Sequence, residues 1–437
     1  MLRRLGTIDA ALIVMGGILG SGIFINPALV AGYVHSASVS TLLWVIGGAI
    51  ALLGAALFAE LAARRPHDGG FYAYLRDAFH PSIAFVYGWT LLLVAQSGGM
   101  AAGAVTFAIY VVPALGLHIG TGALGAIIIA AFTLVNCLGV RYGALTQHLF
   151  MGLNAAMILV VAIFAFMHTA PAAATAVPVS GGALIGAIGL SLVSVLFAYD
   201  GWHAASFVSA EIRNPAIALP RGLTIGVTGV VVLYLLANWA FLHGLGVETL
   251  ARTQTPASDL ARLALGPAGA AIATTLVAIA TMSTLAQQIL VSPRVYHQMA
   301  ADGTFFAWLG RIDPRSRVPV PAILAQGLTA TVVALSGAYN QILNYVESVD
   351  FVFFGLAAIA LLTFRKRDAD SRVGFMLPLH PWSTWLFLLA SWSIVADVAI
   401  TSPRDTLVGL GIMALGLPVY WLFAANRRAS PTEKGRS

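Results

Sequence analysis

Residues Gly16–Pro27 read GGILGSGIFINP. The stretch is mostly apolar, yet Gly16, Gly17, Gly20 and Gly22 fall inside it, with Ser21 between the last two and Pro27 at its end. Each glycine costs about 1 kcal/mol against alanine in a helix interior. A helix that accepts this loss near its centre is opened there, and what the opening is for decides the fold.

The rest of the chain shows which solvent this helix meets. Of 437 residues, 59% are hydrophobic and 9% charged. A soluble domain carries about 25% charged residues, so this chain cannot cover a water-facing surface and reads as an all-α integral membrane protein. A spanning helix needs about 20 mainly apolar residues. About twelve such runs occur, roughly at 8–34, 40–63, 82–112, 121–140, 144–168, 183–210, 219–243, 266–291, 319–337, 340–364, 383–400 and 405–425. Loops between them are short, which predicts one transmembrane domain over 1–425. The polar tail 426–437, NRRASPTEKGRS, is expected to be cytoplasmic and disordered. Arg3 and Arg4 before an apolar stretch resemble a signal peptide. The stretch runs past signal-peptide length without a small-residue cleavage pattern, so it reads as the first span, kept in the mature protein.

The formal charge of +6 is a matter of topology. With the N-terminus inside, twelve spans place both termini in the cytoplasm. Twenty of the 23 basic residues then fall inside, and only Arg252, Arg262 and Arg404 fall outside. One missed span would reverse the sides downstream and spoil this asymmetry, so the basic excess argues against a nucleic-acid partner. The single cysteine, Cys137, allows no internal disulfide and no Cys-rich metal site. The sequence has no HExxH pair, no G-x-S-x-G elbow and no phosphate-cradling loop of the P-loop type, which disfavours an enzyme. No nucleotide-binding domain is present for ATP-driven transport, and no metal or cofactor is expected.

A transmembrane backbone unwinds only where it lines a cavity or is buried in protein. Gly20-Ser21-Gly22 lies near mid-bilayer in span one, and FAYDGW, Phe197–Trp202, lies mid-span in span six, with Asp200 and Gly201 at its centre. An Asp in the bilayer interior costs at least about 2.5 kcal/mol on insertion scales and persists where it has a partner or a job. Spans one and six hold corresponding places in two five-span halves. Paired interruptions of this kind point to a transporter site built from inverted repeats. Breaking a helix frees N–H groups at one half-helix start and C=O groups at the other half-helix end, with partial positive and negative charge respectively. Such a pair suits a zwitterion, and an amino acid is one. Close packing through small residues is the competing use of these glycines, and fits Gly98, Gly99 and Gly103 in span three.

At these residues the sequence resembles the amino acid–polyamine–organocation (APC) superfamily, in particular its L-type amino acid transporter branch in a bacterial form. The resemblance rests on GSGIF in span one, RPHDGGFYAYL between spans two and three, NCLGVRYGA after span four, FAYDGW followed by EIRNP, and PRVYHQMAADG after span eight. It covers nearly the whole chain and implies the LeuT-like five-plus-five inverted repeat, over about 8–168 and 183–364. Helices 1 and 6 would be broken, and two further helices would occupy about 383–425. It implies alternating access, with the N–H groups of Ser21 and Gly22, beside Gly20, on the substrate carboxylate. The carbonyls of Ile18 and Phe197, with Asp200, would take the ammonium, and the Phe197 ring would close over the substrate as an outer gate. The bacterial inner membrane is the implied location.

The chain departs from the family twice. Many members carry a lysine in span five that reaches the unwound part of span one; here that position is Asn154, in FMGLNAAM. Asn154 cannot be protonated near neutral pH, but its amide could bridge spans one and eight opposite Thr284, in TMSTLAQQ, or be an ordinary buried amide bonded to backbone. Asn154, Thr284 and Asp200 are the coupling-site candidates. Animal members of the branch bind a heavy subunit through a cysteine between spans three and four. The corresponding VPALGLHIG has none, so no disulfide-linked partner is expected, only the lipid bilayer and a monomer or weak homo-oligomer.

Asp200 could fix the unwound turn, carry a proton or attract a cationic group. His203 could face the substrate or be a satisfied structural residue. Gln96, Ser97 and Met100 in span three, Ser283 in span eight, and Tyr345 and Phe353 in span ten are candidates for the side-chain pocket or plain packing; Trp202 is a rim aromatic or packs. Glu60 and Glu211, with Arg64, Arg65 and Arg294, are expected either in ion pairs that help to hold the inward gate or in a plain interfacial role. The reading is an amino acid exchanger or facilitator, preferring neutral substrates because one carboxylate sits deep in the site. The alternatives are a proton- or sodium-coupled permease for cationic amino acids or polyamines, and a channel or transporter-like sensor.

Overall fold

The computed structural model describes residues 6–66, 69–138, 140–167, 179, 181–336, 339–368 and 373–429; of residues 140–151, 208–211, 283 and 425–429 it describes the backbone only. The chain opens with α1 (Thr7–Ile18) and α2 (Gly22–Val34), then α3 (Ala37–Arg64), the short α4 (Phe71–Ala78), and α5 (Pro81–Thr90). A π turn over Leu91–Ala95 joins α5 to α6 (Gln96–Ala114), followed by α7 (Thr121–Cys137), α8 (Val140–Met167) and α9 (Gly182–Tyr199). A 3₁₀ segment, Trp202–Glu211, leads to α10 (Pro215–Leu245), α11 (Val247–Arg252), α12 (Pro256–Val291) and α13 (Pro293–Ala301). The last helices are α14 (Val320–Ser336), α15 (Tyr339–Arg367), α16 (Trp382–Thr401) and α17 (Pro403–Ala429).

Proline sets several of these starts. Pro81, Pro215, Pro256 and Pro293 each occupy a first helical turn, where the missing N–H would have no partner anyway. Within α12 the backbone turns at Gly266, φ 69°, so the continuous apolar helix runs from Pro267.

Among the described residues, eight segments are long and apolar enough to cross a membrane, and α1 with α2, bent by 46° at their junction, makes a ninth if the pair is one span. Three shorter apolar helices, Thr121–Cys137, Gly152–Met167 and Val320–Ser336, stand where spans four, five and nine are expected. The protein is therefore a multi-pass helical membrane protein with a broken N-terminal helix. The expected tail 426–437 falls mainly outside the described residues; α17 continues to Ala429.

Packing separates centre from rim. The apolar window of Pro81–Ala114 is 78% buried and that of α15 is 72% buried, against 33% for α16 and 11% for α17. Leu386, Leu389, Leu407 and Leu422 are exposed on the two outer helices, as expected of side chains facing lipid tails. Helices of equal rank in the two halves pack in pairs: α3 on α10, α6 on α12 and α7 on α14, while α2 lies on α9 and α1 on the 3₁₀ segment. These pairings bring the two helix breaks together at the centre.

Candidate functional site

The first break runs from Leu19 (φ −65°, ψ 86°) through Gly20 to Ser21, which caps α2. In hydrocarbon every freed backbone group needs an internal partner, and neighbouring helices supply them. Tyr234 on α10 donates its hydroxyl to the Ile18 carbonyl at 2.6 Å and accepts the Gly20 N–H at 3.4 Å. The Leu19 carbonyl accepts the Asn154 amide at 3.1 Å and the Thr284 hydroxyl at 3.3 Å. Asn154 also donates to the Ala280 carbonyl on α12 at 3.2 Å. The amide therefore bridges spans one and eight beside Thr284. Asn154 itself is 1% exposed.

The second break is Asp200-Gly201. Asp200 is extended (ψ 156°) and Gly201 has φ +113°, a conformation open to glycine and strained for other residues. A β-carbon on Gly201 would stand 2.4 Å from the Gly17 carbonyl oxygen. The two breaks thus touch backbone to backbone, and glycine is what lets them.

A cavity opens between them, with about 590 Å³ of empty space, its open mouth included. Span one lines it with Gly17, Ile18, Gly20, Ser21 and Gly22, and span six with Phe197, Ala198, Asp200, Gly201 and Ala204. Ala95, Gln96 and Gly99 come from span three, Thr284, Gln287 and Gln288 from α12, and Val346 and Asp350 from α15. The N–H groups of the first turn of α2 have no carbonyl four residues back, and the macrodipole makes this end attractive to an anion. Opposite stand Asp200 and the C-terminal end of α9. The site therefore pairs an electropositive with an electronegative face across one cavity. Phe197 meets Tyr339 of α15 edge to face, ring centroids 6.3 Å apart.

Several expected residues lie elsewhere. Ser97 and Met100 are fully buried outside the lining. A π turn inserts one residue and turns the helix face that follows by about 100°. The turn at Leu91–Ala95 thereby presents Gln96 and Gly99 to the cavity. Ser97 instead donates to the Leu92 carbonyl at 2.5 Å, and the Met100 sulfur accepts the Gln326 amide at 3.0 Å. His203 is also outside the lining. It sits among the rings of Phe58, Phe71, Phe207 and Phe354, centroids within 6.3 Å, with Nδ1 3.5 Å from Asp200. Tyr345 and Phe353 do not line the cavity either, and Trp202 is buried under Phe354. The side chain of Ser283 lies outside the described residues. The Ile18 and Phe197 carbonyls expected to take an ammonium already accept from Tyr234 and from the Asp200 N–H, the latter at 3.3 Å.

Sequence reasoning missed three features of this site. Tyr234 is a lone tyrosine in an apolar run and carries no sequence signal. Gln287 and Gln288 stood within the quoted TMSTLAQQ. Asp350 could have been found by the argument used for Asp200, since VESVDF puts Glu347 and Asp350 inside an apolar span. With Asp350 in the lining, the premise that one carboxylate sits deep in the site does not hold, and the preference for neutral substrates loses its ground.

Near the C-terminal end of α3, Glu60 is fully buried and gathers four bonds of 2.6–2.8 Å, from Arg64, twice from Arg365, and from the Leu377 N–H. The expected Glu60–Arg64 pair is present, and Arg365 of α15 joins it. Arg65 pairs with Asp368 at 2.7 Å, Arg294 donates to the Leu290 carbonyl at 2.6 Å, and the Glu211 side chain is outside the described residues. Between α4 and α13, Arg76 and Tyr72 both bond Asp302. Burial pushes the Tyr72 phenol up to about 12.

Comparison with known proteins gives one family model, described as amino acid permease, matching residues 5–423. Similar curated proteins include the mouse b(0,+)-type amino acid transporter 1, 28% identical over 99% of this chain and 91% of that protein. The rabbit protein of the same name is 30% identical over 83% of this chain and 76% of its own. The rat large neutral amino acids transporter small subunit 2 is 27% identical over 96% of this chain and 80% of that protein.

Proposed function

The chain belongs to the amino acid permease family of the APC superfamily, whose members are transporters and not enzymes, and from this premise we propose that it is an amino acid exchanger working by alternating access. The carrying observation is the cavity between two touching helix breaks, with a half-helix N-terminus on one side and Asp200 with the end of α9 on the other. The substrate carboxylate meets the N–H groups of Ser21 and Gly22, its ammonium meets Asp200, and Phe197 against Tyr339 closes the outer side. The names of the similar proteins, amino acid transporters of the b(0,+) and large neutral types, agree with this reading.

The three shorter apolar helices also cross, which makes twelve spans in a LeuT-like fold. The pairwise packing of equal-rank helices supports two inverted halves about a pseudo-two-fold axis. Both termini are cytoplasmic by the distribution of Lys and Arg, in a cell membrane. Transport is independent of sodium. The Leu19 and Ala280 carbonyls that would ligate a cation between spans one and eight accept the hydrogens of the Asn154 amide instead. No disulfide joins the chain to a partner through the α6–α7 loop. Its one cysteine, Cys137, ends α7 at the opposite end from that loop.

Counterflow in proteoliposomes tests this. Vesicles are loaded with unlabelled amino acid mixtures, a labelled amino acid is added outside, and sodium and pH are varied. Accumulation should require internal amino acid and ignore sodium. Gradient-driven uptake into empty vesicles contradicts the exchanger; no movement of any amino acid contradicts the site.

A further inference from the structure

The connection from α15 to α16 turns its apolar side chains outward. Leu379 is 82% exposed and Trp382 78%, and Met376 and Trp385 in the same stretch are exposed as well. Trp382, Trp385, Leu386 and Leu389 follow at spacings of three and four along α16 and so share one helix face, which is exposed throughout. The lipid-facing surface of α16 therefore continues past the start of the helix into the connection.

Helix lengths place this connection at the membrane edge. α16 has 20 residues and is about 30 Å long, no more than the hydrocarbon core of about 30 Å. Its first residue, Trp382, thus stands at the hydrocarbon boundary, the level that tryptophan favours. α15 has 29 residues, about 43 Å of helix, and ends in Arg365, Lys366 and Arg367. The chain leaves the core with α15 and returns to its edge before α16 begins.

Two observations point to lipid rather than water on this surface. Leu379 has φ +56°, a left-handed conformation that is costly for a residue with a β-carbon and is ordinarily left to glycine or asparagine. Facing water, the leucine would gain nothing to offset that cost; against acyl chains it does. The irregular backbone is also satisfied from within. The Leu377 N–H donates to Glu60 at 2.6 Å, and the Leu377 carbonyl accepts from Arg365 at 3.1 Å. The carbonyls of Pro378, Leu379 and Pro381 accept from the Ser383 hydroxyl at 2.6 Å, the Ser383 N–H at 3.1 Å and the Trp385 N–H at 3.0 Å. Pro378 and Pro381 have no N–H to satisfy. Non-helical backbone at hydrocarbon depth needs such partners, because lipid tails offer none.

We propose that the α15–α16 connection is a membrane anchor: Met376, Leu379 and Trp382 enter the leaflet on that side, and phospholipid is the occupant of this surface. By the proposed topology the leaflet is the cytoplasmic one. The anchor holds Leu377, and through it the buried Glu60–Arg365 pair, at a fixed depth, whatever the substrate.

The test is the depth of residue 379. Leu379→Cys in a Cys137→Ala background is labelled with an environment-sensitive fluorophore and reconstituted in phosphatidylcholine vesicles, with Lys366→Cys, exposed at the end of α15, as control. The label at 379 should be quenched by lipid brominated at shallow acyl carbons and spared by iodide on both faces, at a depth of about 5–10 Å into the boundary of headgroups and acyl chains. The label at 366 should show the reverse. Iodide quenching at 379 equal to that at 366 overturns the anchor. Protection from iodide without quenching by lipid means that protein covers the surface, a second copy included, and overturns the lipid assignment. Leu379→Gly relieves the backbone but removes the side chain. It should lower the Tm of the reconstituted protein; an unchanged or higher Tm shows that lipid offsets nothing there and also overturns the proposal. If Leu379→Cys does not fold, the same label on Trp382→Cys decides.

Discussion

The two helix breaks are made of similar residues and finished in different ways. At the first, side chains from three other helices close the freed carbonyls: Tyr234 on Ile18, and Asn154 with Thr284 on Leu19. At the second, the Asp200 Oδ1, the Trp202 indole nitrogen and the His203 Nδ1 are buried without hydrogen-bond partners among the described residues. A backbone satisfied from several sides holds its shape with or without ligand. A buried carboxylate oxygen left unpaired costs free energy that a bound ammonium removes. In the proposed exchanger, the first break serves as a built receptor for the carboxylate, and the second is completed by the substrate. Binding energy spent at the second break is thus available to shift the conformational equilibrium that alternating access requires.

Substitutions can break this contrast or sharpen it. The largest effect is expected where the breaks touch. Gly201→Ala adds a methyl group 2.4 Å from the Gly17 carbonyl at a φ of +113°. It should cost about 3 kcal/mol or more from strain and overlap and abolish transport; wild-type uptake would show that the breaks do not touch. Tyr234→Phe removes the hydroxyl bridging Ile18 and Gly20. A buried carbonyl left short of its donor costs about 1–3 kcal/mol, read as a lower Tm of the empty protein. An unchanged Tm would show that the first break is not held as described.

Asp200→Asn should do the reverse. The Asp200 Oδ1 makes no hydrogen bond among the described residues and has only His203 Nδ1 at 3.5 Å, so losing the charge should leave the empty protein about as stable as before, while amino acid affinity falls by at least about tenfold, the loss of a charge-assisted bond. A lower Tm with unchanged affinity would make Asp200 a structural brace and erase the contrast. Thr284→Val is the smallest change. Its 3.3 Å bond shares the Leu19 carbonyl with Asn154, so about 0.5–1 kcal/mol of stability is expected to go, with transport retained. A collapse of transport would place Thr284 in direct contact with the substrate.

The breaks were legible in the sequence because glycine and an intramembrane acid are locally costly, and a cost inside an apolar run is visible without neighbours. Gly22 was legible as a special position but not for its full reason. A β-carbon there would lie 2.7 Å from Ala198 Cα, so the residue also sets how closely α2 crosses α9, a contact between segments far apart in the chain. Of Gln96, Ser97 and Met100, offered as pocket or packing residues, Gln96 lines the cavity while Ser97 and Met100 pack; the π turn over LLLVA that sets this face has no sequence signature. Tyr234 and Arg365 act through partners more than 200 residues distant, which no local pattern announces. Asp350 was passed over although the rule that found Asp200 applies to it equally.

The central claim is that one amino acid lies across both breaks, its carboxylate on the first and its ammonium on the second. The direct measurement is equilibrium displacement of a labelled substrate amino acid from the purified protein by that amino acid, its α-carboxamide, its N-acetyl derivative and its decarboxylated amine. If each break reads one charge, all three blocked analogues lose affinity by at least about tenfold, and Asp200→Asn narrows the gap for the N-acetyl compound alone. Full displacement by the carboxamide or by the N-acetyl derivative would contradict the claim, since a break indifferent to its charge is not a binding face.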